Sequence, residues 1–258
     1  MNTFLIKLAL MPLVVAGITL ISRKWGNTIG GIVASLPWVA GPIIFFIAVE
    51  QGPIFASQTI SGVMIGLIGW LTFCLAFAKI GQHYNALVSL LGGYLTYMLT
   101  GLLLNNFINH LNLFGWTITT LVLMVFTYLI FPKPKLKGGL VLKTLRFDIP
   151  LRMLMMTSFV VAITYFAQTL GPAWSGILTP FPIMTAVLAV FTHYSQGIEA
   201  TILILKGLLI GIIGFMAFMY LLAILLPTTN IATAFLFAIS VNLAITFAMK
   251  LFVDKWKI

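Results

Sequence analysis

TPFPIM, residues 179–184, places two prolines in a segment that is otherwise apolar enough to lie in a membrane. Proline lacks a backbone N–H and clashes with the preceding helical turn, so the pair predicts an interrupted helix. At membrane depth an interruption is tolerated only where protein or a water-filled cavity satisfies the free backbone groups. The stretch therefore predicts a discontinuous membrane helix beside a cavity.

The sequence around this stretch is that of a polytopic membrane protein. Of its 258 residues, 61% are hydrophobic and only 7% are charged, against roughly 25% charged residues in soluble domains. We expect an all-α fold of nine transmembrane helices, because each apolar run is long enough to cross a bilayer. The predicted spans are 3–22, 27–50, 53–79, 85–105, 113–132, 151–170, 172–195, 199–226 and 230–252.

The basic residues predict the orientation. Twelve of the 14 Lys and Arg residues flank spans and fall in the loops after spans 1, 3 and 5 or at the C-terminus. They are Arg23, Lys24, Lys79, Lys133, Lys135, Lys137, Lys143, Arg146, Arg152, Lys250, Lys255 and Lys257. Basic loops stay in the cytoplasm, so we expect the N-terminus outside and the C-terminus inside. The net charge of +10 then sets topology, and we expect no nucleic-acid partner.

A shift of 145 residues reveals an internal duplication. It pairs Pro37 with Pro182 and six glycines of the first half with six of the second. The glycine pairs are Gly26 and Gly171, Gly31 and Gly176, Gly52 and Gly197, Gly62 and Gly207, Gly66 and Gly211, and Gly69 and Gly214. We divide the chain into a first four-helix repeat (1–110), a linker helix with a basic loop (111–145) and a second repeat (146–258). Four spans plus one linking span make the second repeat inverted, which is a common plan of secondary transporters.

Symmetry pairs the interrupted span 7 with span 2, in which Pro37 and Gly41-Pro42 predict a corresponding break. We expect Ser35 and Thr179 to cap half-helices whose positive ends face a cavity, a geometry that suits an anionic group. The alternative is a pair of kinked but continuous helices used for packing. The predicted substrate-binding residues are Ser35, Pro37, Trp38, Gly41, Pro42, Thr179, Pro180, Phe181, Pro182, Thr185 and Lys206.

Lys206 lies well inside span 8, where a charge is costly unless it is functional or reaches the membrane surface.

Two polar clusters end spans 2 and 7, and we predict a role in gating or proton coupling for them. The alternative is that they cap and turn helical hairpins. Their members are Glu50, Gln51, His193, Gln196 and Glu199.

Close helix packing is the role predicted for the small residues of spans 3 and 8. Gly62, Gly66 and Gly69 lie on one helical face, as do their counterparts Gly207, Gly211 and Gly214. We expect these glycines to be scaffold.

The sequence contains few residues or motifs that could support catalysis. Cys74 is the only cysteine, the three histidines lack HExxH spacing, and no phosphate-binding GxxxxGK[ST] loop is present. We expect no catalytic residues, no metal and no cofactor, and no enzyme activity.

The segment SGILTPFPIMTAVLAVFTHYSQG, residues 175–197, resembles the signature of the GlpM family of small bacterial inner-membrane proteins. The residues in the family's order are Gly176, Phe181, Pro182, His193, Tyr194 and Gly197, with a longer run before His193. Family members are about half this length, so the resemblance implies a fused, inverted pair, an inner-membrane location and a link to envelope polysaccharide production.

We expect a secondary transporter that moves a small anionic solute by alternating access at the two broken helices. One alternative is a lipid or polyprenyl-phosphate translocase, and another is a non-transporting scaffold subunit of an envelope-polymer system. The expected partners are membrane lipids and one small-molecule or lipid-headgroup substrate. Proton or sodium coupling and a homodimer remain open.

Overall fold

A computed structural model describes residues 3–24, 37–133 and 148–256 of the chain. Within these ranges it holds nine α-helices, one 3-10 turn (Ile108–His110) and no strand. The helices are α1 (Thr3–Lys24), α2 (Ala40–Glu50), α3 (Pro53–Gly81), α4 (Ala86–Asn105), α5 (Leu113–Ile130), α6 (Asp148–Leu178), α7 (Ile183–Gln196), α8 (Ile198–Leu225) and α9 (Ile231–Trp256).

Six of these helices contain a stretch long and apolar enough to cross a membrane: α3, α4, α5, α6, α8 and α9. The predicted all-α membrane protein is thus confirmed at this level. Of the other three helices in the described ranges, α2 and α7 have 11 and 14 residues. A bilayer needs about 20 helical residues, so neither of these two crosses it alone.

Helix α3 is the centre of the molecule. In its most apolar window 78% of the residues are buried, against 17% to 44% in the other five spanning helices. It packs most extensively against α4 and α6, and also against α8, α5 and α2. The outer helices α4, α5 and α9 expose leucine and phenylalanine side chains instead, as expected of surfaces that face lipid.

Local chemistry explains where the long helices begin. Gly52 (φ 93°) and Gly197 (φ 86°) precede α3 and α8 in a backbone region that favours glycine, which allows the sharp turns there. The Asn85 and Asn230 side chains accept hydrogen bonds from the backbone N–H of Val88 and Thr233, at 3.0 and 2.8 Å, and so cap α4 and α9.

Helix α6 is interrupted at Gly171 (φ 70°, ψ 172°), which precedes Pro172. The Ser175 hydroxyl donates to the Ala167 carbonyl oxygen at 3.2 Å, although eight residues of straight helix would separate them by about 12 Å. The chain therefore folds back at Gly171, where the sequence predicts the boundary between spans 6 and 7.

The segment after this turn packs directly on α3 because glycines let the two backbones meet. A Cβ on Gly62 would collide with the Ala173 carbonyl, and one on Gly176 would collide with the Thr59 carbonyl. A Cβ on Gly66 would lie 2.6 Å from the Pro180 ring. Packing is thus confirmed for Gly62 and Gly66, and for Gly69, which lies against Tyr97.

Gly41 and Pro42 lie in the first turn of α2, where the missing N–H of a proline costs nothing. Residues 25–36 lie outside the described residues, so the predicted break of span 2 stays a prediction. The packing predicted for Gly207 fails. A Cβ added to Gly207 would have no described atom within 4 Å, so the described residues give this glycine no packing partner. Ser35, Gly26 and Gly31 lie outside the described residues.

Candidate functional site

The candidate site begins at the gap between α6, which ends at Leu178, and α7, which begins at Ile183. Residues 172–196 run alongside α3. Ala173 and Gly176 lie against Gly62 in the first half of α3, and His193 lies close to Gly81 at its C-terminal end. The gap lies opposite Gly66 and Trp70, close to the middle of α3. Roughly 20 Å of α3 extends on either side of it, so the gap lies near mid-depth of the longest central helix.

Side chains satisfy the backbone around this gap. The hydroxyl of the fully buried Tyr97 donates to the Ile177 carbonyl, in the last turn before the gap. The Thr179 hydroxyl donates to the Ser175 carbonyl at 2.7 Å. Pro182 is the N-cap residue of α7 and supplies no side-chain hydrogen bond. Thr179 therefore closes the end of the preceding helix, and the prediction that it caps the following one is wrong.

Thr185 lies one turn into α7 and accepts a hydrogen bond from the Trp70 indole N–H at 2.9 Å. Both groups are buried, so this bond ties α7 to the middle of α3. Trp70 and Tyr97 were not among the predicted site residues, because nothing in their local sequence indicates the pairing.

Aromatic rings hold Phe181 in the gap. Its ring stacks on Tyr94 with centroids 5.0 Å apart and meets Tyr97 edge-on at 5.1 Å. Phe159 of α6 completes the group at 5.6 Å. Phe181 thus lies between α4 and α6 as a packed wall of the site.

The two proline segments share one small apolar cluster, formed by the buried Met156 and Ile183. Val39, two residues after Pro37, packs on this cluster, and so does Phe181, which precedes Pro182. Pro37 is buried and Trp38 is half-buried. Val39, which follows the predicted site residues 37–38, and the predicted site residue Phe181 therefore pack on the same two buried side chains.

A buried ion pair lies beyond the gap, at the other end of α2. Lys7 Nζ contacts the two carboxylate oxygens of Glu50 at 2.6 and 2.8 Å. It also donates to Thr164 Oγ1 at 2.6 Å and lies 5.2 Å from the centre of the Phe46 ring. The Lys7 side chain is 5% exposed and that of Glu50 is 17% exposed. This group joins α1, α2 and α6.

The ion pair borders a cavity of about 250 Å³, which Thr3, Gln51 and Tyr165 also line. Sequence reasoning selected Glu50 and Gln51 but overlooked Lys7. Lys206 was selected because a charge inside an apolar span is costly and often functional. The same argument applies to Lys7, which lies in the second turn of the first predicted span.

The second polar cluster lies near the C-terminal end of α3. The His193 ring meets Phe77 edge-on at 6.1 Å, and its buried Nδ1 atom has no hydrogen-bond partner among the described residues. Gln196 ends α7, and Glu199 lies in the first turn of α8, where a carboxylate complements the helix dipole. Glu50 and Gln51 precede the start of α3, so the two clusters lie at opposite ends of this helix.

Lys206 is half-buried, and its ammonium group lies 4.7 Å from the centre of the Tyr128 ring on α5. This cation–π contact directs it toward the linker helix. The structure records no contact between Lys206 and the gap at residues 179–182.

No three His, Cys, Asp or Glu side chains in the part of the chain that the structure describes are placed to hold a metal ion. In the comparisons with known proteins, no family model, curated protein or solved structure matches this chain.

Proposed function

We propose that this protein is a secondary transporter that moves a small anionic solute by alternating access, with its site between the two proline segments. One observation carries the proposal. Val39 and Met184, which the shift of 145 residues pairs, both pack on the cluster of Met156 and Ile183, and the adjacent Thr185 bonds to Trp70 near the middle of the central helix. Transporters with inverted repeats place their substrates at such a junction of discontinuous helices.

Equivalent positions of the two repeats support the duplication. The positive-φ glycines 52 and 197, the capping residues Asn85 and Asn230 and the starts of α3 and α8 are each 145 positions apart. Gly69 lies against Tyr97, and Gly214 lies against Asn242 at the same separation.

The positions of two turns support an inverted arrangement. The turn at Gly52 leads into the first residue of α3, whereas the turn at Gly197 is followed by Ile198, which contacts Gly81 at the end of α3. Repeat-related turns thus lie at opposite ends of one helix, as inverted repeats require.

Alternating access would use the gap as the point of bending. The carbonyl of Ile177 and the amides at the start of α7 lack continuous helical partners, so small rotations of 172–178 against α7 break few backbone bonds. The GlpM resemblance stays an expectation and adds only an inner-membrane location.

Proteoliposomes that contain the full chain test the proposal. Uptake of radiolabelled acetate, succinate and sulfate is measured for the wild type, Pro37→Ala, Pro182→Ala and the control Pro227→Ala. Pro227 is exposed in the turn before α9. We expect uptake by the wild type and the control, and at least a tenfold lower rate in both site variants.

Unchanged uptake in Pro37→Ala and Pro182→Ala would contradict the proposed site. The same vesicles, with a fluorescent phospholipid, test the lipid translocase. Phospholipid flipping without anion uptake would replace the transporter by this alternative, and the absence of both activities would favour the scaffold.

A further inference from the structure

We propose that Lys7 is a second binding site for the anionic substrate, separate from the site between the two proline segments, and that Glu50 occupies it until the substrate displaces it and a proton neutralises it. The ligand class is an oxyanion, either a carboxylate or a phosphate-like group. This inference rests on the proposed transport function and gives it a coupling ion, the proton.

Lys7 is a fixed cation. Its ammonium group is nearly inaccessible, is held by Thr164 Oγ1 at 2.6 Å and lies over the Phe46 ring. Thr164 is itself fixed, because its hydroxyl donates to the Val160 carbonyl at 2.8 Å. A buried ammonium group at this position needs an anionic partner at all times, since an unpaired buried charge is strongly destabilising.

Glu50 is the displaceable partner. It is the last residue of α2, next to the turn at Gly52, and its side chain is more than three times as exposed as that of Lys7. A carboxylate at a helix C-terminus is unfavourably placed in the helix dipole, whereas Lys7 is favourably placed there. Glu50 can therefore leave Lys7 for the adjoining cavity at a lower cost than Lys7 can move.

The cavity supplies room and hydrogen-bond donors for the incoming group. Its volume of about 250 Å³ accommodates a small oxyanion together with water. The Thr3 hydroxyl, the Gln51 amide and the Tyr165 hydroxyl line it and can donate to an oxyanion. The apolar cluster at Val39 and Met156 borders the same two helices, α2 and α6, roughly 12–17 Å away.

Charge balance then links the anion to a proton. When the anion pairs with Lys7, the ionised Glu50 would be left without its partner, so a proton from water binds one of its carboxylate oxygens. The titratable groups that face it are Lys7 and Tyr165. The described residues of α3 and α9 near α2 contribute none. A monoanion such as acetate and one proton enter together, and the charge of the site is then unchanged.

Calorimetric titration of the purified full chain in detergent tests the proposal. Acetate and sulfate are the probes because neither changes charge near neutral pH. Titration in two buffers of different ionisation enthalpy counts the protons taken up. For the wild type we expect about one proton per anion and a Kd that rises up to tenfold for each unit of pH.

Three variants separate the roles. Glu50→Gln removes the competitor and should bind at least tenfold more tightly, without proton uptake. Lys7→Gln/Glu50→Gln leaves no unpaired buried charge, so it should fold and bind neither anion at this site. The control Lys79→Gln alters an exposed lysine and should bind like the wild type.

Wild-type affinity in Lys7→Gln/Glu50→Gln, or proton uptake that persists in Glu50→Gln, would overturn the inference, as would a wild type that binds neither probe. If phosphatidic acid in nanodiscs displaces sulfate from Lys7, the site stands and its anion is a lipid headgroup. Loss of uptake in the proline variants, together with unaltered binding in the Lys7 variants, would leave the transporter standing and remove only this site.

Discussion

At the residue scale, three side chains that join different helices determine how the gap is held. Tyr97 satisfies the carbonyl of Ile177, Trp70 donates to Thr185, and Phe181 fills the space between α4 and α6. Each removes a cost that a discontinuous helix imposes in a medium without water, either an unpaired polar group or a void. The gap is therefore a packed, hydrogen-bonded feature of the fold.

The Tyr97 hydroxyl can be tested alone, because Tyr97→Phe keeps the ring that contacts Phe181 and Gly69. We expect the free energy of unfolding to fall by about 1 kcal/mol, since the Ile177 carbonyl loses its donor. Equilibrium unfolding in mixed detergent micelles measures this change. Tyr84→Phe, at a tyrosine that is 62% exposed, is the matched control and should be neutral. If Tyr97→Phe and Tyr84→Phe have the same free energy of unfolding, the Tyr97 hydroxyl does not stabilise the gap.

At the element scale, glycines decide how closely 172–178 approaches α3. Gly62 and Gly176 bring the two backbones into contact, and Gly66 makes room for Pro180. Close approach strengthens dispersion contacts, which are the main attraction between helices in lipid because apolar side chains gain little by leaving it. This contact holds the first half of the interrupted span against the central helix.

Gly62→Ala and Gly207→Ala form a matched pair, because both glycines lie inside long helices and are related by the repeat. Alanine at 62 would collide with the Ala173 carbonyl, so we expect a loss of about 1–3 kcal/mol. Alanine at 207 meets no described atom and should gain up to about 1 kcal/mol of helix propensity. The same unfolding assay compares them, and a Gly62→Ala protein as stable as Gly207→Ala would contradict the close packing.

At the scale of the whole molecule, α3 carries the two polar clusters at its opposite ends and the gap near its middle. Glu50 and Gln51 precede its first residue, and His193 contacts Phe77 and Gly81 near its last. With about 1.5 Å of rise per residue, the 29 residues of α3 separate the clusters by roughly 40 Å. A site between two such ends suits access from alternate sides of a membrane.

Sided labelling tests the inverted arrangement. Tyr84 and Thr229 are exposed, lie in the turns before α4 and α9 and are 145 positions apart. In a Cys74→Ala background, we expect a membrane-impermeant maleimide to label Thr229→Cys in intact cells and Tyr84→Cys only after permeabilisation. The physical reason is the positive-inside rule, which places the turn after Lys79 in the cytoplasm. If both residues are labelled from the same side, the repeats are parallel, and the main support for a transporter is lost.

Much of the fold follows from the sequence, because its causes are local. The length of each apolar run, the helix starts after Gly52, Asn85 and Gly197, and the chain reversal at Gly171 depend on residues within a turn or two. Local rules also went wrong where context decides. Thr179 looks like the N-cap of the following half-helix, but its hydroxyl donates to the Ser175 carbonyl in the preceding helix.

By itself, then, the sequence determined an all-helical membrane protein with related proline and glycine patterns in its halves. Only the tertiary structure decided which polar groups meet. Lys7 and Glu50 are 43 residues apart, Tyr97 and Ile177 are 80 apart, and Lys7 and Thr164 are 157 apart. No local preference encodes such pairs, because they form only when helix packing brings distant segments together and excludes the water that would otherwise satisfy each group.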